Sequence, residues 1–280
     1  MADLNNGAIR GGRYVALGSS FAAGPGIPPL VNRRARRSGR NYAQQVAKKL
    51  SLRLTDATHS GATTEDVLIG THSRLRAPMP AQVEAIEPDT TLVTITVGGN
   101  DIGYIGGLIT ASLAARAGRQ VARLSPGVAE WIRGRVDLEV DARRVEEATH
   151  AMTTVGKEVR RRAPRARVLW VDYLTVVGSH EIALQSPRSR LPLTIDDLRK
   201  VARTAKLLAE AFATAAHESG TELVGTSSAS MDHGALSPEP WVTGFEGSLM
   251  KRDATVPYHP NLAGMTAVAE LIVGHLTVSH

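Results

Sequence analysis

Apolar and polar positions change period block by block along this chain. Residues 14–17 are a short apolar run that stops at Gly18, and residues 92–97 are a β-branched run that stops at Gly98-Gly99. Runs this short, closed by glycine, predict buried strands. Residues 52–55, 167–171 and 222–224 repeat the pattern more weakly. Between them the spacing becomes helical. Val145, Ala148, Met152, Val155 and Val159 share one face, and Pro164 stops that helix. Leu198, Val201, Ala205, Leu208 and Phe212 form a stripe within residues 194–219. Thr194 with Asp197 reads as its N-terminal cap, and Gly220 as its stop. Residues 41–50 and 261–276 are predicted as further helices.

Strands separated by helices predict parallel pairing in a layered α/β fold. No repeat, linker or low-complexity tract interrupts the alternation, so a single domain over residues 1–280 is expected. Residues 103–136 are the least regular stretch that still carries apolar side chains, among them Ile105, Leu108, Ile109 and Leu113. A lid or insertion and an ordinary crossover helix are both compatible with that segment.

Composition narrows the function. The 280 residues are 42% hydrophobic and 21% charged, as in ordinary globular proteins. No apolar run approaches a bilayer span, so no integral membrane segment is expected. The first twelve residues have no apolar core of the kind an export signal needs, and cysteine is absent. Together these predict a cytoplasmic protein, or a mature form whose leader has been removed. The net charge of +6 is concentrated in Arg33, Arg34, Arg36, Arg37 and Arg40, and in Arg160, Arg161, Arg162, Arg165 and Arg167. No nucleic-acid motif or aromatic stacking platform accompanies them, so no nucleic-acid partner is expected. The first cluster follows a candidate nucleophile and could recognise a carboxylate or phosphate on a substrate.

Three segments carry candidate chemistry. Ser20 lies on a glycine-flanked turn after the first strand, between Gly18 and Gly24. Asn100 follows Gly98-Gly99 at the end of the best strand, where the glycines leave space beside it. His259 stands between Pro257 and Pro260 at the entry to the last helix. A serine needs a base to take its proton, and a tetrahedral intermediate needs fixed donors for its oxyanion. Gly61, after the second strand, adds a backbone N–H. Each residue also has a plain reading as a turn serine, a turn asparagine or a helix-entry histidine. The histidines show no metal-ligand spacing such as His-Glu-x-x-His. No metal and no cofactor are expected.

The order Ser, Gly, Asn, His resembles the SGNH hydrolases, also called GDSL-type esterases and lipases. The blocks are Gly18-Ser19-Ser20 with Gly24, Ser60-Gly61-Ala62-Thr63-Thr64, Gly98-Gly99-Asn100-Asp101, and His259-Pro260. Residues 16–27 and 241–261 look most like an actinobacterial lipase branch. The resemblance implies a three-layer αβα sandwich with a flavodoxin-like five-stranded parallel sheet. It implies a serine esterase or lipase acting through an acyl-serine, with a small ester or lipid as substrate. Ser20 is then the nucleophile and His259 the base. The Ser20 N–H, the Gly61 N–H and the Asn100 side chain form the oxyanion hole.

The chain departs from that family pattern twice. Ser19 stands where the family usually has aspartate. Val256 stands where it usually has the third member of the triad. The backbone carbonyl of Val256 is therefore expected to orient His259, in a Ser-His dyad, with Asp253 and Asp232 as rival acids. These departures also leave open a catalytically inactive SGNH-fold protein that binds lipid or carbohydrate. The sequence does not give the oligomeric state.

Overall fold

The structure is a computed structural model that describes residues 10–71, 78–121, 125, 127, 138–178, 191–245 and 256–277. Five parallel strands form the central sheet: β1 (Arg13–Gly18), β2 (Arg53–Asp56), β3 (Thr90–Thr96), β4 (Arg167–Val171) and β5 (Glu222–Val224). Their spatial order is β2-β1-β3-β4-β5. The chain thus leaves β1 toward one edge and later returns to its other side, which makes the β1/β3 boundary the topological switch point. The helices are α1 (Ser20–Ala23), α2 (Tyr42–Leu50), α3 (Thr64–Leu68), α4 (Tyr104–Val121), α5 (Ala142–Arg162), α6 (Ile195–Glu218), α7 (Thr226–Ala229) and α8 (Leu262–Thr277). α2 packs on α8 and α5 packs on α6, with the sheet between the helical layers. This is the expected αβα sandwich.

The sequence pattern explains the layering. β3 is buried along nearly its whole length, with Leu92, Val93 and Ile95 fully enclosed. A strand covered on both faces has no reason to alternate polar with apolar. Two of its three buried threonines are matched by tyrosines: Thr94 Oγ1 lies 2.8 Å from the Tyr14 hydroxyl and Thr96 Oγ1 lies 2.9 Å from the Tyr42 hydroxyl. Those pairs keep the buried hydroxyls from being orphaned. Trp170 of β4 meets Phe212 of α6 edge-on, with ring centres 5.5 Å apart. α6 begins in the capping box that Thr194 and Asp197 predict, each side chain bonding the other's backbone N–H. α5 ends at Arg162, two residues before Pro164.

Of the irregular segment 103–136, residues 104–121 are α4, which turns Tyr104, Ile105, Leu108, Ala111 and Ser112 inward. Residues 122–124, 126 and 128–136 lie outside the described residues. A small antiparallel hairpin, Leu30–Asn32 with Arg37–Ser38, was not legible in the sequence.

Candidate active site

β1 and β3 deliver the first two segments to the same end of the sheet. Gly18 has φ +145°, and a Cβ there would stand 2.5 Å from the Thr96 carbonyl oxygen. Only glycine fits this close approach of the two strand ends. The Gln82 side chain clamps the same residue: the Gly18 N–H donates to Oε1 at 2.6 Å, and Nε2 donates to the Gly18 carbonyl at 3.1 Å. The His59 N–H reaches that carbonyl at 3.1 Å, tying the second block to β1. The Ser19 N–H donates to Thr96 at 2.8 Å, and the chain then turns into α1. Gly24 closes α1 in the left-handed conformation, with its N–H on the Ser20 carbonyl at 3.0 Å. The two adjacent serines therefore differ. Ser19 is fully buried with its Oγ 2.7 Å from the Tyr173 hydroxyl, whereas Ser20 retains slight exposure at the first position of α1.

His259 Nε2 lies 2.8 Å from Ser20 Oγ. The two residues are 239 positions apart in the chain, and both are buried. The other ring nitrogen, Nδ1, lies 2.8 Å from the carbonyl oxygen of Pro257. A carbonyl only accepts, so Nδ1 carries the proton and the Nε2 lone pair faces the serine hydroxyl.

The expectation for Val256 is corrected here. Its carbonyl is occupied by Thr243 Oγ1 at 2.6 Å, and the carbonyl at the ring belongs to the next residue. The cause is Tyr258, which has φ +61°. That left-handed kink folds the chain so that the Pro257 carbonyl meets the side chain two residues on. A bulky residue avoids this conformation at a cost of about 1–2 kcal/mol. Tyr258 is fully buried, its hydroxyl 2.6 Å from Ser112 Oγ on α4 and its ring stacked 6.0 Å from Phe245. These contacts offset the strain. Asp253 lies outside the described residues. Asp232 is not the partner of Nδ1, and the neighbouring His233 instead stacks on Trp241 with ring centres 4.0 Å apart.

Thr243 holds the histidine backbone. Its N–H donates to the His259 carbonyl at 2.9 Å, and its carbonyl accepts the Tyr258 N–H at 3.0 Å. Its hydroxyl accepts the His259 N–H at 3.2 Å while donating to Val256. The Asn261 N–H donates to the Trp241 carbonyl at 2.9 Å, continuing the pairing.

Burial pushes the His259 pKa down to about 4. The Pro257 bond opposes that shift, and the positive charge of Arg36 adds to it. The imidazole is neutral near pH 7 and available as a base.

Asn100 and Asp101 lock the β3 end to the second block. Asn100 Nδ2 donates to the Ala62 carbonyl at 2.8 Å, which places its amide against the loop that contains Gly61. Asp101 Oδ1 accepts from the Thr64 N–H at 3.1 Å and from the Thr64 hydroxyl at 2.5 Å. Burial raises the Asp101 pKa against the pull of those bonds. The space expected beside Asn100 is partly filled: a Cβ on Gly99 would come 2.8 Å from the Tyr173 ring. Tyr173 stacks on Phe21 with centres 4.1 Å apart, and Phe21 lies 5.5 Å from the His259 ring. Tyr173 and Tyr104 also line an apolar cavity of about 460 Å³ with Leu174, Val177, Ala205 and Leu208. Gln82, Tyr173, Thr243, Tyr258 and the Pro257 carbonyl carried no motif of their own, and the sequence reading missed them.

Among the described residues no group of three His, Asp or Glu side chains could hold a metal ion, and no helix is long and apolar enough to cross a membrane.

The model of the GDSL-like lipase/acylhydrolase family matches residues 16–267. The chain is 33% identical over 260 residues to Lipase 2 of Streptomyces coelicolor, covering 92% of this chain and 83% of that protein. The crystal structure of phospholipase A1 from Streptomyces albidoflavus superposes with a TM-score of 0.70 at 23% identity, covering 96% of this chain and all of that one. The extracellular lipase of Streptomyces rimosus superposes with a TM-score of 0.65 at 22% identity, covering 95% and 100% of the two chains. These two share the fold. The chain belongs to the GDSL-like lipase/acylhydrolase family and is a carboxylic ester hydrolase.

Proposed function

We propose that residues 1–280 form one serine hydrolase domain that cleaves carboxylic esters through an acyl-Ser20 intermediate, with a Ser-His dyad oriented by the Pro257 carbonyl. The observation that carries this reading is the 2.8 Å contact of Ser20 Oγ with a His259 whose other nitrogen is held at 2.8 Å by Pro257.

Neutral His259 takes the Ser20 proton on Nε2 as Oγ attacks the ester carbonyl carbon. The oxyanion that forms is met by the Ser20 N–H at the start of α1 and by the Asn100 amide, whose plane is set by Ala62. The family resemblance adds the Gly61 N–H. When the tetrahedral intermediate collapses, the imidazolium gives its proton to the leaving alcohol oxygen and the acyl group remains on Oγ. A water molecule then loses a proton to Nε2 and attacks the acyl carbon. A second collapse returns the proton to Ser20 and releases the acid. A neutral carbonyl fixes the tautomer as a carboxylate would, and steadies the imidazolium less. The apolar cavity that shares Tyr173 with the site gives an acyl chain room.

The test is hydrolysis of p-nitrophenyl esters of short and long acyl chain by the wild type and by Ser20→Ala. Activity in the wild type that is lost in the variant supports the reading. Equal activity in both removes Ser20 from the mechanism.

A further inference from the structure

Of the five arginines in residues 33–40, Arg33 is exposed at the start of the turn, and three others are engaged away from the reacting pair. Arg34 Nη2 donates to the Pro78 carbonyl. Arg37 Nε donates to the Thr58 carbonyl at 2.8 Å and lies 3.2 Å from Asp56 Oδ1. Arg40 lines a separate pocket with Gln44, Lys48 and Lys49.

Arg36 is placed differently. Its φ of +52° lies in the left-handed region that a long side chain avoids, in a turn closed by its N–H on the Arg33 carbonyl at 3.3 Å. Both neighbours are anchored. Ala35 is buried, its N–H donates to Asn32 Oδ1 at 2.9 Å, and its carbonyl accepts the Ser60 N–H at 2.9 Å, one residue before Gly61. Arg37 grips Thr58 and Asp56 from the other side. The turn is therefore braced against the second block, the loop that resemblance assigns to the oxyanion hole. From it Arg36 extends an exposed guanidinium with no hydrogen bond or ion pair among the described residues. Its charge is felt at the His259 imidazole.

A cation whose field reaches a general base makes proton uptake harder. The same cation attracts an approaching anion and offers a planar fork to two of its oxygens. An anionic substrate would use both properties of the position: it would be held by the fork, and it would cancel the charge that depresses the base.

We propose that Arg36 is the anion-recognition residue of the Ser20 site, and selects esters that also carry a phosphate or carboxylate group. This rests on Ser20 and His259 being the reacting pair. Arg36 is a specificity residue: it holds the substrate and takes no part in proton transfer.

The test is a pair of substrate comparisons. One sets a 1-acyl-glycerol 3-phosphate against the matching 1-acyl-glycerol, and the other sets p-nitrophenyl hemisuccinate against p-nitrophenyl butyrate. KM is measured for the wild type, Arg36→Gln and Arg36→Lys, and the neutral-to-anionic KM ratio is taken within each pair. Any general effect of the lost charge on His259 cancels in that ratio. Arg36→Gln is expected to lower the ratio about tenfold, the range of one charge-assisted hydrogen bond, and Arg36→Lys to restore part of it. A fall in only one pair identifies the anion as phosphate or as carboxylate. A ratio unchanged in both pairs overturns the proposal. Ser20→Ala is run alongside: hydrolysis surviving in that variant would refute the reacting pair, a result separate from the Arg36 ratio.

Discussion

Replacing Thr243 with valine removes one hydroxyl and nearly preserves the shape. That hydroxyl donates to the Val256 carbonyl at 2.6 Å and accepts the His259 N–H at 3.2 Å. Valine leaves a donor and an acceptor without partners at a half-buried position. Each such bond is worth about 0.5–1.5 kcal/mol, and an unsatisfied buried group costs about 1–3 kcal/mol. The variant thus loses on the order of 2–3 kcal/mol of local order around the histidine loop. The backbone pairing of Thr243 with Tyr258 and His259 remains, so the loop shifts and does not unfold. If about half of that loss appears as an imidazole away from Ser20, kcat falls roughly tenfold. KM changes little, because the Thr243 hydroxyl is spent on the backbone of the histidine loop. Thr243→Ser keeps the hydroxyl and should recover most of the rate. Stopped-flow or steady-state kinetics on a p-nitrophenyl ester, with urea unfolding as the stability control, reads both effects. An unchanged kcat in the valine variant, or an equal loss in the serine variant, would refute the positioning role.

Other predictions follow from the same geometry. His259 acts as a base only when neutral, and burial pushes its pKa down to about 4. The acid limb of kcat/KM for a neutral ester should therefore fall as pH drops through about 4, and a limb at the usual histidine value of about 6.5 contradicts the burial argument. Linkage has the same sign. The unfolded chain takes up this proton below about 6.5 and the folded one only near 4, so the His259 contribution to stability declines as pH falls between them, readable by urea unfolding. Asn100→Ala removes an oxyanion donor and should cut kcat by about 10²–10³-fold. A loss below about threefold would exclude that role for the side chain.

Much of the fold was legible because the chain alternates two periods. Residues 14–17 and 92–97 are strand cores bounded by glycine, and the stripe from Leu198 to Phe212 is a helix face. Ser20, Asn100 and His259 were legible because each follows or precedes a conformational stop such as Gly18, Gly98 or Pro260. The identity of the orienting carbonyl was not. It depends on a left-handed tyrosine, and nothing local marks Tyr258 for φ +61°. That conformation is held by Ser112, 146 residues away, and by Phe245. Gln82 and Tyr173 were hidden for the same reason: their roles at Gly18 and Ser19 exist only once β1, β3 and β4 lie side by side. Arg36 was one of several equivalent arginines in sequence, and what sets it apart, a left-handed turn braced against the second block and a charge that reaches His259, exists only in the folded chain.

Whether Ser20 is the nucleophile activated by His259 can be read from one labelling experiment. The intact protein is treated with a fluorophosphonate, digested, and mapped by mass spectrometry, alongside Ser20→Ala and His259→Ala. One adduct on Ser20, absent from Ser20→Ala and formed at least a hundredfold more slowly in His259→Ala, is the expected result, the size being roughly that of a positioned general base. An adduct on Ser19, or labelling of His259→Ala at the wild-type rate, would contradict it.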